Sequence, residues 1–265
     1  MDFGEDIGLW QRKLSDSPEG MARRLAVFEA LGIKTGQSIL DLGCGGGHLV
    51  RDVALAIGDS GRVVGFDTSK DQLQSAGALC PGLSAVHLVE GDATDMPFDD
   101  GEFDRLASIQ TLEYIPNVDG AIREARRVLK LGGKAALVSV LWDHWRFHGA
   151  EPVLNKKMHD AWRQHCPHQM LPPDLPGKLE AAGFAGVAQK PIAFMNSTMH
   201  ENAYASWAAK LVAAYAISNG VNDADAVLWL AQLEKADSEG RFCFVSVPVL
   251  TTATAAYGHK QTVAH

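Results

Sequence analysis

Glycines and carboxylates recur at positions where a chain could bind a nucleotide. The run Asp41-Leu42-Gly43-Cys44-Gly45-Gly46-Gly47 follows an apolar segment, and its glycines permit positive φ angles and close backbone approach to a ligand. A helical pattern begins at His48, so free N–H groups at its start would face whatever lies over the turn. Asp67 comes twenty positions after Gly47, a spacing that lets a carboxylate reach the ribose hydroxyls of a nucleotide. These residues predict a nucleotide-binding turn.

Alternating strand and helix patterns supply the elements that must position this turn. The glycine run lies between a predicted strand over 38–42 and a predicted helix over 48–57. The alternation continues with predicted strands at about 62–67, 86–89, 103–109 and 134–141, and with helices at about 69–79 and 118–129. Such alternation predicts an α/β fold with a parallel sheet that helices cover on both faces.

The alternation breaks after Leu141. Residues 142–173 are rich in aromatic, histidine and proline residues, which predicts an inserted helical lid. Beyond it we predict helices at about 174–182, 200–218 and 223–237, a strand at 187–195 and a last strand from Arg241. We expect a single domain over 1–265, with an N-terminal arm and helix (1–36), a core (37–141), a lid and C-terminal half of the fold (142–240) and a last strand (241–256).

Composition and charge narrow the classes of partner. The net charge is -8 and the pI is about 5.6. The one dense basic cluster is typical of a solvated helix face, and it comprises Arg123, Arg126, Arg127 and Lys130. We therefore expect no nucleic-acid partner. The N-terminus is acidic, whereas a signal peptide needs positive charge there. No apolar run is long enough to span a bilayer. We therefore expect a cytoplasmic protein without membrane contact. The four cysteines form no C-x-x-C pair, and we expect no metal.

A dinucleotide dehydrogenase is the main alternative user of such a turn. Its fingerprint, counted from Gly43, requires a third glycine at position 48, which is His48, and it has no need of Asp41. The chain instead resembles class I S-adenosylmethionine-dependent methyltransferases, whose first motif is an acid followed by alternating glycines. Further blocks resemble the small-molecule branch typified by ubiquinone and menaquinone biosynthesis (methyltransferase type 11): Leu40–His48, Val64–Gln72, Gly91–Pro97, Phe103–Tyr114 and Leu129–Val138.

The resemblance implies a Rossmann-like, mostly parallel, seven-stranded sheet with its last strand antiparallel, and it implies roles for individual residues. Asp41 would hold the ammonium group of S-adenosylmethionine, Asp67 would accept from both ribose hydroxyls, and Asp92 would accept from the adenine amino group. The remaining implied cofactor contacts are Gly43, Cys44 and Gly45 at the methionine part, Thr68 and Ala93 at the adenine, and Gln110 near the methionine carboxylate or the sulfonium.

The implied activity is in-line transfer of a methyl group to the N, O or C atom of a small molecule, leaving S-adenosylhomocysteine. Positioning and exclusion of water can supply most of the rate, so a general base is optional. Tyr114, His144 and His148 are the candidate bases, because Tyr114 follows strand four and the histidines follow strand five. His144 and His148 are four residues apart and could share a helix face, but no third metal ligand accompanies them.

Aromatic residues supply the candidates for acceptor binding. Trp142, Trp145 and Trp162 could form an aromatic wall for a flat or cationic acceptor, with core packing as the competing interpretation. Trp10 lies in an N-terminal arm that could fold over a site. Two other functions remain open: a cofactor-binding protein without transferase activity, and an NAD-dependent oxidoreductase. The oligomeric state, monomer or homodimer, is left open by the sequence.

Overall fold

The computed structural model describes residues 7–256, and these form two compact units. The sheet unit comprises residues 24–139, 171–190 and 249–256. The helical unit comprises residues 7–23, 140–170 and 191–248. Residues 1–6 of the predicted arm and residues 257–265 lie outside the described part of the chain.

A seven-stranded sheet in the order β3-β2-β1-β4-β5-β10-β7 organises the sheet unit. It is mostly parallel, and its last strand is antiparallel, as predicted. The strands are β1 (Ser38–Leu42), β2 (Arg62–Asp67), β3 (Val86–Glu90), β4 (Phe103–Ile109), β5 (Leu129–Val140), β7 (Phe184–Pro191) and β10 (Pro248–Ala255). The helices are α2 (Pro18–Leu31), of which residues 24–31 belong here, α3 (His48–Ile57), α4 (Lys70–Leu79), α5 (Val118–Val128) and α7 (Leu171–Ala181).

The central strands are apolar on both faces because helices cover both sides of a parallel sheet. Ile39, Leu40 and Leu42 of β1 are buried, and so are Val63 and Val64 of β2. The helices that connect these strands begin where the sequence predicts. The hydroxyl of Ser69, for example, accepts a hydrogen bond from Gln72 N–H at 3.3 Å and caps α4. The carboxyl ends of β1, β2 and β3 consequently meet at one edge of the sheet.

An antiparallel sheet in the order β6-β9-β8 and four helices form the helical unit. Its strands are β6 (Arg146–His148), β8 (Phe194–Asn196) and β9 (Cys243–Ser246), and its helices are α1 (Ile7–Asp16), α6 (Pro152–Trp162), α8 (Tyr204–Ser218) and α9 (Asp223–Ser238). Trp229, Phe147 and Phe244 are fully buried in its core. No helix within the described residues is both long enough and apolar enough to cross a membrane.

Prolines explain two differences from the predicted strands. The single strand predicted over 187–195 is two strands, β7 and β8, and β7 ends at Pro191. The last strand, predicted over 241–256, is likewise divided into β9 and β10, and β10 begins at Pro248. Proline lacks the N–H that continues a strand ladder, so the chain leaves one sheet and enters another at these positions.

The N-terminal segment also differs from the predicted arm. Residues 7–16 form the helix α1, which packs against α8, and its Leu14 belongs to the core of the helical unit. The short amphipathic pattern that suggested an arm therefore belongs to a helix that buries one face.

Two arginines of the basic cluster on α5 form hydrogen bonds with neighbouring segments, whereas the sequence predicted a solvated helix face. Arg126 donates to the carbonyl oxygens of Gly183 and Ala256. Arg127 donates to both oxygens of Glu124 at 2.7 Å and to the carbonyl oxygens of Phe98 (2.7 Å) and Met96 (2.9 Å). These guanidinium groups join neighbouring loops to the helix, and Arg123 is the one exposed residue of the three arginines.

Replacing Arg127 by alanine is expected to lower the free energy of unfolding by about 2 kcal/mol, because five described acceptors lose a charged donor. Arg123→Ala removes the same charge from the exposed side of the helix and is expected to change stability by less than about 0.5 kcal/mol. Urea denaturation of both variants measures the difference. Equal losses would show that the Arg127 contacts add nothing to stability.

Candidate functional site

The glycine turn after β1 adopts the backbone that its sequence predicts. Gly43, Gly45 and Gly47 have φ angles of 73°, 49° and 81°, in the left-handed region where glycine is favoured. The N–H groups of Gly43 and Cys44 both donate to the carbonyl oxygen of Phe66, at 2.7 and 3.1 Å. The turn is therefore anchored to the carboxyl end of β2, and α3 begins directly after it at His48.

Two hydroxyl groups from the end of β4 hold the other side of the turn. Ser108 Oγ donates to Leu42 O at 2.9 Å, and Thr111 Oγ1 lies 3.3 Å from Gly43 O. A Cβ atom on Gly43 would lie 2.6 Å from Thr111 Cβ and closer still to Oγ1 and Cγ2. Gly43 is therefore required for two reasons: its φ angle and the side chain of Thr111.

Asp67 connects the turn to the next helix. Its Oδ2 accepts from Gly45 N–H and its Oδ1 accepts from Ser69 N–H, both at 2.9 Å. Each carboxylate oxygen can accept two hydrogen bonds, so capacity for ligand hydroxyls remains on both. The sequence predicted the ligand contact, and the structure adds that Asp67 also shapes the loop.

Asp41 is a buried carboxylate beside the turn. It is only 3% exposed, and no described residue donates a hydrogen bond to it or forms an ion pair with it. Burial, and then the charge of Asp67, raises the pKa of Asp41 to about 7. A cation bound at this place would offset both effects, which makes Asp41 suited to an ammonium group.

Asp92 follows β3 at the same edge of the sheet. Gly91 N–H donates to Asp67 O at 3.1 Å, which fixes the loop to β2. One oxygen of Asp92, Oδ1, accepts from the N–H and hydroxyl of Thr94 at 2.7 and 2.8 Å, and these bonds lower the pKa of this exposed carboxyl. Among residues 7–256, no donor contacts the other oxygen, so it is available to a ligand amino group. Ala93 is buried next to Asp92, and Thr68 is exposed after β2.

Gln110 is strained. It is the one non-glycine residue in the described part of the chain with a positive φ angle, 52°. Its N–H donates to Val138 O at 2.7 Å, and this conformation directly precedes Thr111. Left-handed backbone costs about 1 to 2 kcal/mol outside glycine, and such strain concentrates at functional sites.

Cys44 lies within the turn but is a poor nucleophile. Its side chain is buried, and burial followed by the charges of Asp41 and Asp67 raises the pKa of the thiol far above its ordinary range. Its Sγ lies 3.7 Å from Gly45 O. A Cβ atom on Gly65 would lie 3.0 Å from this Sγ, and the contact of Cys44 with a cofactor stays a prediction.

The candidate bases occupy three different elements. Tyr114 ends a short 3₁₀ helix (Leu112–Tyr114) after β4, is 43% exposed, and donates its N–H to Thr111 O at 3.0 Å. His144 ends a 3₁₀ helix (Trp142–His144) and His148 ends β6, and both side chains are exposed. The two histidines therefore share no helix face. Within the described residues no group of three potential ligands is arranged to hold a metal ion.

The candidate acceptor-binding tryptophans are buried. Trp142 and Trp145 are 3% and 2% exposed and belong to the core of the helical unit, and Trp10 on α1 is 3% exposed. The ring centroids of Trp142 and Trp145 lie 5.6 Å apart in an edge-to-face arrangement. These residues pack in the core, which was the competing interpretation, and their contact with an acceptor stays a prediction.

Sequence reasoning missed Ser108, Thr111 and the shaping role of Asp67. Ser108 carried one signal, since it is the single polar residue in the buried part of an apolar strand. Thr111 carried none, because its contact with Gly43 spans 68 positions of the chain.

The site fits the nucleotide part and the amino-acid part of S-adenosylmethionine. Acceptor-only carboxylates at the ends of β1 and β2 and after β3 match the ammonium, hydroxyl and amino donors of such a molecule. The glycine turn exposes its backbone between these carboxylates. Gly43 has no side chain there, and any side chain at this position would collide with Thr111.

Comparison with known proteins agrees with this reading. A family model described as a methyltransferase domain matches residues 40–137. A demethylmenaquinone methyltransferase from Staphylococcus carnosus is 38% identical over 112 residues, which is 42% of this chain and 46% of that protein. The chain matches less than half the length of the curated relatives to which it is similar.

Solved structures share the fold over most of the chain. The YcgJ protein of Bacillus subtilis superposes with a TM-score of 0.62 at 20% identity, covering 90% of this chain and 99% of that one. The [4+2]-cyclase SpnF superposes with a TM-score of 0.61 at 25% identity, covering 90% of this chain and 82% of that one. Residues 40–137 are thus similar to a methyltransferase domain, and the solved structures share the fold.

Proposed function

We propose that this protein binds S-adenosylmethionine in the sheet unit and transfers its methyl group to a small-molecule acceptor. The observation that carries the proposal is the buried Asp41 carboxylate, which has no cation or donor among the described residues and stands beside a glycine turn held by Asp67 and Thr111. The names of the curated relatives, which include quinone methyltransferases, support an uncharged small acceptor.

In this mechanism the residues of the chain bind and orient. Asp41 holds an ammonium group, Asp67 and Asp92 accept from ribose hydroxyls and the adenine amino group, and Gln110 lies where the strained end of β4 meets the turn. When bound, S-adenosylmethionine supplies an activated methyl group that a nucleophile can displace in line. Placement and exclusion of water then provide much of the rate.

A proton must leave the acceptor when its nucleophile is a hydroxyl or an acidic carbon. We propose Tyr114 as the first base to test, because its exposed phenol lies in the segment that follows Thr111. His144 and His148 are the other candidates, since both imidazoles are exposed. We further propose a cytoplasmic location.

The second candidate function is binding of the cofactor without methyl transfer. The observation that favours it is the structural similarity to SpnF, which is named a [4+2]-cyclase and not a methyltransferase. Calorimetry with S-adenosylhomocysteine, followed by turnover of S-adenosylmethionine with a panel of quinones and phenols, separates the two. Binding with turnover supports the proposal, and binding without any turnover favours the second candidate. Stabilisation by NAD alone in a thermal-shift assay would instead indicate an oxidoreductase.

Asp67→Ala is expected to weaken S-adenosylhomocysteine binding by about ten-fold or more, because it removes the acceptor for ribose and the anchor of Gly45 N–H. Asp71→Ala makes the same charge change on the exposed start of α4 and is expected to bind as the unmodified protein does. Calorimetry on both variants measures the effect. Unchanged affinity in Asp67→Ala would exclude the ribose assignment.

A further inference from the structure

One face of the antiparallel sheet in the helical unit carries two basic side chains beside three apolar ones. Direct cross-strand neighbours share a face, so Arg146 of β6, Val245 of β9 and Met195 of β8 form one row across the sheet. His148 and Cys243 form the next row, because residues two apart on a strand point to the same side. We call the surface formed by these five residues the open sheet face.

The opposite face of the sheet packs in the core of the helical unit. Phe147 and Phe244 are fully buried there, and Phe194 packs against the same core. On the open sheet face, by contrast, Met195 is 63% exposed, His148 is exposed, and the other three side chains are half-buried. A ligand can therefore reach this face without any change in the core.

The two basic side chains lie close together on β6. Arg146 and His148 are two positions apart on an extended strand, which places their Cα atoms about 6.6 Å apart. Both also act on one buried group, since burial, and then the charges of Arg146 and His148, lower the pKa of His159 to about 4. The charge of Asp160 opposes this effect and is the smallest of the four contributions. Positive charge therefore dominates around β6.

The acids that flank these strands in the sequence have other partners. Glu151 caps the start of α6 by accepting from two backbone N–H groups. The other acids form ion pairs, which are Asp143 with Arg163, Asp160 with Lys156 and Glu239 with Arg241. Among residues 7–256, no carboxylate forms an ion pair with Arg146, whose Nη1 donates to Trp145 O at 3.2 Å.

Arg146 thus lacks the acidic partner that a half-buried guanidinium ordinarily has. A charged group that loses part of its hydration is stabilised by an acceptor of opposite charge. The guanidinium fork matches the two oxygens of a carboxylate, and an imidazole N–H of His148 can donate to the same group. A carboxylate from outside the described chain would satisfy both side chains.

The remaining side chains of the open sheet face suit a hydrocarbon chain. Neighbouring strands lie about 4.8 Å apart, so the row from Arg146 through Val245 to Met195 is about 10 Å long. Val245 and Met195 leave apolar surface uncovered, and contact with hydrocarbon removes that surface from water. The row therefore has a charged end and an apolar end.

We infer that the open sheet face binds a small amphipathic carboxylic acid, with its carboxylate on Arg146 and His148 and its hydrocarbon chain over Val245 and Met195. The inference goes beyond the proposed methyl transfer to an uncharged acceptor. It does not depend on that function, since all of these residues lie in the helical unit and the test needs no cofactor.

Matched ligands test the site on the unmodified, full-length protein. Octanoate is the probe, octanamide replaces its charged head by a neutral one of similar size, and butanoate keeps the head and shortens the chain. Octanoate is expected to bind about ten-fold or more tightly than either of the others. Equal affinity of octanoate and octanamide, or no binding of octanoate below its micelle concentration, would overturn the inference.

Methyl resonances of methionine locate the contact. The chain has seven methionines, so single Met→Leu variants can assign every methyl signal. The signal of Met195 is expected to move on addition of octanoate, whereas that of Met21 on α2, which is 49% exposed, should stay in place. Equal movement of both signals would mean that octanoate coats exposed apolar groups without preference, which contradicts the site.

Replacement of single cations tests the head group. Arg146→Gln is expected to weaken octanoate binding about ten-fold and to leave octanamide binding unchanged, while Arg146→Lys should lose only about three-fold. Arg241→Gln makes the same charge change at an arginine already paired with Glu239, and its affinity for octanoate should equal that of the unmodified protein. Unchanged octanoate binding in Arg146→Gln, or equal losses in the two glutamine variants, would show that Arg146 does not hold the carboxylate.

Discussion

Gly43→Ala is expected to abolish measurable binding of S-adenosylhomocysteine, with an affinity loss on the order of 100-fold or more. A Cβ atom at this position lies 2.6 Å from Thr111 Cβ and overlaps the rest of that side chain. Either the turn or the segment after β4 must move, and both position the candidate cofactor residues. The φ angle of 73° adds the strain of left-handed backbone.

Gly82→Ala separates these two effects. Gly82 has the same φ angle, 73°, and an added Cβ would meet nothing within 4 Å. It should therefore show the backbone strain alone, about 1 kcal/mol of stability, with unchanged ligand affinity. Calorimetry and urea denaturation of both variants give the comparison. If Gly82→Ala weakens binding as much as Gly43→Ala does, contact with Thr111 is not the cause.

A double variant tests the contact directly. Thr111→Gly removes the side chain that the new Cβ would strike, and in the Gly43→Ala background it is expected to restore at least ten-fold of the lost affinity. Thr111→Gly alone should bind somewhat more weakly than the unmodified protein, because the hydroxyl near Gly43 O is lost. Additive losses in the double variant would show that the two residues act independently.

The sequence was sufficient for features that depend on local patterns. The start of α3 at His48, the end of β2 at Asp67 and the cap at Ser69 all follow from apolar periodicity and capping chemistry within a few residues. The resemblance to a family then implied roles for Asp41 and Asp92, which no periodicity indicates and which stay predictions.

Features that join distant segments were not predictable from these patterns. The contact of Thr111 with Gly43 and the ring contact of Trp162 with Tyr215 join residues far apart in the chain. The division at Pro191 and Pro248 was visible only as proline in an apolar run, and proline alone does not show that the chain changes sheets. The aromatic content of the segment likewise could not show whether Trp142 packs in the core or forms a wall that contacts a ligand.

Asp41 makes the stability of the free protein depend on pH. Its pKa rises from the ordinary value of 3.8 to about 7 in the folded state, because burial and the charge of Asp67 disfavour ionisation. Below pH 4 both folded and unfolded states hold the proton. As the pH rises to 7, the unfolded state releases its proton first, so the folded state loses stability, by about 4 kcal/mol at most. Asp41→Asn cannot ionise and should lack this loss, as denaturation across pH 4 to 8 would show.

Ligand binding should have the opposite dependence on pH. An ammonium group favours ionised Asp41, so affinity for S-adenosylhomocysteine is expected to rise up to about ten-fold per pH unit below 7, or about 50-fold between pH 5 and 7. The bound ligand thus stabilises the charge that destabilises the free protein. Asp41→Asn should bind weakly with little pH dependence, and calorimetry at pH 5, 6, 7 and 8 measures both slopes. Parallel slopes in the two proteins would mean that another group, and not Asp41, meets the ammonium.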